Sequence, residues 1–196
     1  VLPEGESNML NRHIKNHHID LRLGINLKEI KSDKNDKAKS VIIAETGEEI
    51  ACDFVGLTAG VSPNIDFLKP SDVATNRGVL VNKYLETNIK DIYAIGDCAE
   101  QQEPSTDRRP IEAVWYTGRM MGETLAQTIC ENKTPYKPGH WFNSAKFFDI
   151  EYQTYGWVSA LPKENEVHFH WIHNDDTKCI TMAYDKNTFL FLGINT

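Results

Sequence analysis

Thr87-Asn88-Ile89-Lys90-Asp91-Ile92-Tyr93-Ala94-Ile95-Gly96-Asp97-Cys98-Ala99 is the stretch on which the fold turns. Asp91 to Ile95 is a short apolar run, which predicts a strand buried in a sheet. The run stops at Gly96-Asp97. At the carboxyl end of a sheet strand, glycine lets the backbone approach a ligand closely. Aspartate there presents two acceptor oxygens to sugar hydroxyls. The same Gly-Asp pair also reads as an ordinary turn.

Working outward toward the C-terminus, Gln101 to Arg109 is polar, contains Pro104 and reads as a loop, with Arg108-Arg109 as solvated side chains. Pro110 is placed to open a helix, where its missing N–H costs nothing. Ile111, Val114, Met121, Leu125 and Ile129 recur at three, seven, four and four residues, a single apolar stripe. Gly118 and Gly122 would let one face approach a sheet closely, although each costs about 1 kcal/mol of helix propensity against alanine. The N-terminal N–H groups of such a helix would point back to the Gly96-Asp97 edge and favour negative charge on a bound ring. Asn132 to Gly139, with Pro135 and Pro138, reads as a linker.

Toward the N-terminus, Val79-Leu80-Val81 begins a sheet region. Phe54-Val55-Gly56-Leu57-Thr58-Ala59, closed by Gly60, predicts a strand buried on both faces of a parallel sheet. Met9, Leu10 and Ile14 have helical spacing, and Ile19 to Leu27 alternates partly, as a strand would. Lys31 to Lys39 reads as a hairpin loop before a strand at Val41 to Ala44, and Glu45 to Glu48 supplies turn chemistry. Val1-Leu2-Pro3 reads as the end of an apolar strand rather than a natural beginning. Beyond Trp141 aromatics are dense, with strands predicted at Glu166 to Trp171, Cys179 to Tyr184 and Phe189 to Leu192.

Composition bounds the function. The chain has 196 residues, 40% apolar and 25% charged, as expected for a globular protein. A net charge of −7 argues against a broad nucleic-acid surface. No apolar run is long enough to span a bilayer, and the opening does not read as a secretion signal. Cys52, Cys98, Cys130 and Cys179 form no CxxC, so reduced thiols in a cytoplasmic protein are the simplest expectation. Cys98 reads as a small buried residue rather than a redox thiol. His168 and His170, sharing a strand face with His173 close by, fit a half-exposed strand better than a metal site; His13 and His17 read as a solvated helix face.

Thr87 to Asp97 resembles the second FAD-binding motif of the pyridine nucleotide-disulfide oxidoreductase superfamily: a Thr, six residues, a small residue, any residue, Gly and Asp. The resemblance implies that Gly96 and Asp97 contact FAD, with Asp97 on the ribityl chain. Thr58-Ala59-Gly60-Val61-Ser62-Pro63-Asn64 resembles the segment closing that family's NAD-binding domain, with Thr-Ala in place of Ala-Thr, and implies that Ala59 and Gly60 lie near the nicotinamide. Arg108 to Glu112, followed by Gly118 to Glu123, resembles the ferredoxin-reductase and apoptosis-inducing-factor branch. There Glu112, Ala113, Val114 and Trp115 would border the flavin ring. Phe147-Phe148-Asp149 resembles a Phe-Trp-Ser element, which implies a flavin contact for Phe147, although the second aromatic differs.

The resemblance implies an α/β fold: partial Rossmann-like FAD- and NAD(P)-binding domains, then a small mainly β (α+β) domain. Residues 1–68 would end the NAD(P)-binding domain, 69–138 would be the second segment of the FAD-binding domain, and 139–196 an interface-type domain. The expected activity is hydride transfer from NAD(P)H to FAD and on to an acceptor. No Gly-x-Gly-x-x-Gly loop occurs, so both phosphate cradles are expected in an N-terminal half preceding Val1, without which the chain would be inactive. That half, a second copy and a redox-protein acceptor are the expected partners. The alternative is a non-catalytic dimerisation or docking module, which the aromatics after Trp141 would suit. No residue stands out as a proton-transfer catalyst.

Overall fold

The computed structural model describes residues 2–105 and 108–196. They divide into two compact units, Ser7–Gly60 and a second made of the residues up to Glu6 with Val61–Thr196. No helix among the described residues is long and apolar enough to cross a membrane.

Helix α1, Glu4–Asn16, carries Glu4 and Glu6 in its first turn and His13 and Lys15 in its last, complementing the helix dipole at both ends. It leads into the first unit, whose sheet is β1 (Leu27–Ser32), β2 (Ala38–Ile43) and β3 (Glu49–Ala51), antiparallel in the order β1-β2-β3. The expected hairpin forms because the Asp33 carboxylate accepts the N–H groups of Asn35 and Lys37 at 2.7 and 3.0 Å, closing the turn between β1 and β2. Ile19 to Asn26 does not join the sheet.

Phe54 to Ala59 forms no strand, contrary to expectation. Phe54 and Leu57 are 84% and 72% exposed. A strand exists only through its ladder, and among the described residues none pairs with this run.

In the second unit, β4 (Val79–Val81) pairs in parallel with β5 (Ala99–Gln101). Helix α2, Trp115–Ile129, lays Thr117, Met121 and Leu125 inward. Met121 and Leu125 join Val81, Leu85, Ala99 and Tyr136 in the main core.

Two expectations need correction here. Asp91 to Ile95 forms no strand among the described residues and makes a single bridge, Glu86 to Tyr93. The chain turns at Asp91, where φ is 63°, and strand pairing with β4 is taken up after the Gly-Asp turn by β5. Tyr93 and Ala94 pack on the core while Ile92 and Ile95 stay exposed. The helix begins at Trp115, not Pro110, because Val114 is extended and donates its N–H to Glu112 O at 2.9 Å. Ile111 and Val114 therefore fall outside the helical stripe, and Ile129 is 65% exposed.

The rest of this unit is a five-stranded antiparallel sheet: β6 (Phe142–Phe147), β7 (Ile150–Gly156), β8 (Glu166–Ile172), β9 (Cys179–Asp185) and β10 (Phe191–Asn195), in the order β6-β7-β10-β9-β8. At the β7–β10 crossing, a Cβ on Gly156 would lie 2.1 Å from Leu192 O, so no side chain fits. The start of the chain is pinned to the last strand: Asn195 Nδ2 donates to both Glu6 carboxylate oxygens at 3.0 and 3.1 Å.

Candidate cofactor site

The Gly96–Cys98 turn lies between the Asp91–Ile95 segment and β5. Gly96 has φ 75°, a left-handed conformation open to glycine at no steric cost, and its N–H donates to Met121 Sδ at 3.3 Å. Helix α2 crosses the turn closely, for a Cβ on Gly118 would sit 3.5 Å from Gly96 Cα. A second turn, Asn76 to Gly78, is fastened beside it. The buried Glu100 carboxylate accepts Asn76 Nδ2 at 2.9 Å and the Gly78 N–H at 2.8 Å. A Cβ on Gly78 would lie 2.7 Å from Cys98 O, so these backbones touch.

A cavity of about 690 Å3 opens here, lined by Asp97, Glu112, Ala113 and Val114 among others. That size suits a small-molecule or cofactor site. Arg77 and Arg109 line it as well, as do Trp141 and Trp157. The Asp97 side chain is exposed and has no hydrogen-bond or ion-pair partner among the described residues, so its oxygens are available as acceptors. Val114, the residue before α2, provides no side-chain cap, which leaves first-turn N–H groups without that partner.

Arg108 is not a solvated loop residue. Its side chain is 5% exposed, and its guanidinium pairs with the Glu112 side chain, 4% exposed, through Nε to Oε1 at 2.6 Å and Nη2 to Oε2. Thr117 Oγ1 donates to the same carboxylate at 3.3 Å. Arg108 Nη1 also donates to Pro138 O and Gly139 O, both at 3.2 Å, and its guanidinium lies 5.3 Å from the centre of the Trp141 ring. Trp141 stacks on Trp157 at 5.3 Å and 9°, so it packs where the linker meets the sheet. Arg108 thus ties the 112–114 turn to the linker, and the pair neutralises itself.

Of the residues expected at the site, Asp97, Glu112, Ala113 and Val114 come together around this cavity, and Gly96 precedes Asp97 in the turn. Trp115 opens α2 but is 68% exposed, its ring edge-on to Tyr116 and beneath Arg119. Phe147 ends β6 at the hairpin, where Phe148 takes a positive φ of 58°. Ala59 and Gly60 belong to the other unit. Cys98 points its thiol at Ile95 O, 3.6 Å away. His168 and His170 find separate partners, Glu166 at 2.6 Å and Thr181 at 2.8 Å. Burial raises the Glu166 carboxyl, but hydrogen bonds from His168, Ser159 and the Lys163 N–H outweigh it and hold it below its ordinary value. Arg77, Arg109 and Trp157 were not legible as site residues, since nothing in local sequence joins them to Asp97.

The sequence model of the pyridine nucleotide-disulphide oxidoreductases matches residues 1–122. Rubredoxin-NAD(+) reductase of Acinetobacter baylyi is 36% identical over 100 residues, covering 51% of this chain and 25% of its own length. The ferredoxin reductase subunit of 5,5'-dehydrodivanillate O-demethylase from a Sphingobium species is 32% identical over 146 residues, 74% of this chain and 35% of its own. Among solved structures, the ferredoxin reductase for the CYP199A2 system of Rhodopseudomonas palustris superposes with a TM-score of 0.83 at 19% identity, covering 100% of this chain and 46% of its own. The last agreement is one of fold. The chain spans from a quarter to just under half of the length of these relatives.

Proposed function

We propose a function from one premise: the chain belongs to the pyridine nucleotide-disulphide oxidoreductase family. That family is one of oxidoreductases, and membership implies FAD and NAD(P)H as cofactors. The cavity at Asp97 is this chain's share of a flavin site, in a protein that moves a hydride from NAD(P)H to FAD and electrons onward to a redox protein. The names of the relatives, reductases of rubredoxin and ferredoxin, support a small redox protein as acceptor. Residues 1–68 end the NAD(P)-binding portion, with Ala59 and Gly60 toward the nicotinamide. Residues 69–138 complete the FAD-binding portion, and 139–196 form the third domain. The relatives are two to four times as long as this chain's share of them, and the phosphate cradles would come from the portion of such a protein that this chain does not span.

Bound FAD supplies the hydride-accepting ring, and the chain's own residues bind, orient and polarise it. Asp97 accepts hydrogen bonds from ribityl hydroxyls, and Gly96 lets the backbone approach them. Ala113 and Val114 border the ring. The uncapped start of α2 favours negative charge there. The Glu112 carboxylate, filled by Arg108 and Thr117, acts by fixing the 112–114 turn. The family resemblance would also bring Trp115 and Phe147 to the flavin, although neither is among the residues lining the cavity. The observation that carries this reading is a partnerless Asp97 carboxylate sharing one cavity with that turn. Asp97→Ala in the flavin-loaded protein is expected to lose its flavin, while Asp97→Asn retains part of it. An alanine variant that stays folded and fully loaded would end the assignment.

Exposed Phe169 and Trp171 on β8 favour a second reading of the third domain as a surface for a second copy or a docking partner. A concentration-dependent dimer that never takes up flavin, even with the portion this chain does not span supplied, would make that the better account.

A further inference from the structure

We infer that Arg77 and Arg109 form an anion-binding pair in the Asp97 cavity, for a phosphate-class group of a dinucleotide. This rests on the flavin-site reading only for the identity of the ligand. Both residues line the cavity and are exposed, and among the described residues neither side chain has a hydrogen-bond or ion-pair partner. Their charges contrast with the cavity's other ionic groups. Arg108 and Glu112 cancel each other, and among the described residues Asp97 alone remains as an unpaired acid on the wall.

Each arginine stands on a rigid mount rather than a loose loop. Arg77 sits between Asn76 and Gly78, and the Asn76 N–H donates to Gly78 O at 2.9 Å across the turn. The buried Glu100 carboxylate grips both flanking residues, and Gly78 rests on Cys98 O. The position of Arg77 is therefore set by the same turn that carries Asp97. Arg109 follows Arg108, whose side chain is fixed to Glu112 and to two linker carbonyls. The Pro110 carbonyl beyond it accepts the Gln101 N–H at 2.9 Å. Two guanidiniums carried on anchored backbone offer forked donors suited to phosphate oxygens, and Asp97 offers acceptors for an adjoining sugar. Sugar next to phosphate is the pattern of a nucleotide. The phosphate can belong to the flavin or to the pyridine nucleotide.

The test compares the complete protein with its Arg77→Gln/Arg109→Gln variant. Calorimetry of the apoprotein reads the affinity for inorganic pyrophosphate, flavin titration reads that for FAD, and flavin bleaching reads the NADH concentration for half-reduction. Pyrophosphate binding should weaken at least about tenfold in the variant. A parallel loss for FAD assigns the flavin phosphate; a rise in the NADH requirement with flavin retained assigns the pyridine nucleotide. Either supports the pair. If unmodified apoprotein ignores pyrophosphate, or the variant binds it equally well, the inference is overturned. Should the glutamine variant misfold, Arg77→Lys/Arg109→Lys keeps the charge and loses the fork. Its affinity should then fall between, with a steep dependence on salt, and a salt-independent affinity would count against the pair. Flavin retention in Asp97→Ala reports separately on the flavin site.

Discussion

Arg108 and Glu112 lie four residues apart and form a two-pronged ion pair almost wholly sealed from solvent. The segment holding them precedes α2, and its residues from Arg109 to Val114, apart from Pro110, line the cavity. Residues 112–114 are kept in a turn, and the helix starts only at Trp115.

Removing one member of this pair leaves an uncompensated buried charge. Glu112→Ala should therefore cost about 3–5 kcal/mol in denaturant unfolding. Glu123→Ala removes the partner of Arg119 in a pair with both side chains 61% exposed, and should change stability by no more than about 0.5 kcal/mol. Equal effects would show that burial is not what matters.

The site's two close-contact glycines should respond oppositely to a methyl group. At Gly78 a Cβ would meet Cys98 O at 2.7 Å and Glu100 Cβ at 3.0 Å, so Gly78→Ala should lose about 1–3 kcal/mol and lower flavin content. At Gly118 a Cβ would stand 3.5 Å from Gly96 Cα, an ordinary contact. Gly118→Ala should then gain up to about 1 kcal/mol from helix propensity. Melting curves of both variants decide the matter.

The four thiols should differ in reactivity. Burial, reinforced by the charge of Glu6, pushes the Cys179 thiol from 9.0 up to about 11, whereas Cys130 is exposed at the end of α2. At pH 8 a thiol reagent should label Cys130 first, and Cys179 only on unfolding. Because the folded-state value is the higher one, stability from this site is intact below pH 9 and is lost as pH rises toward 11. Early labelling of Cys179 would contradict its placement in β9.

Glu166 gives the opposite pH dependence. Its carboxyl lies below the ordinary 4.5 in the folded protein, so its stabilisation is present above that pH and is lost as pH falls further below. Glu166→Gln should lower stability in the neutral region, where the carboxylate's contribution is present, and so flatten the acid limb of the stability profile. An unchanged acid limb would remove His168 and Ser159 as the cause.

Much of this was legible because it is local. The hairpin at Asp33, the strands at Glu166 and Cys179, and the helical spacing of Met121 and Leu125 follow from short-range pattern. The Gly96-Asp97 turn was legible through its resemblance to a family motif. What failed depended on partners distant in the chain. Phe54 to Ala59 has a strand's composition but no ladder among the described residues. The Asp91 run gives its pairing to β5, and Arg108 looks like a surface residue until Glu112, Pro138 and Trp141 enclose it. Strands β6 and β7 were missed because their alternation mixes Asn, Ser, Lys, Glu and Gln with the aromatics.

The central claim is that this chain completes a flavin site at Asp97. Its most direct test is the flavin absorbance of the purified chain, alone and after co-expression with the portion of a full-length relative that this chain does not span. The account predicts a colourless chain that becomes yellow in the complex and loses the colour in the Asp97→Ala version. A properly folded complex that stays colourless would contradict it.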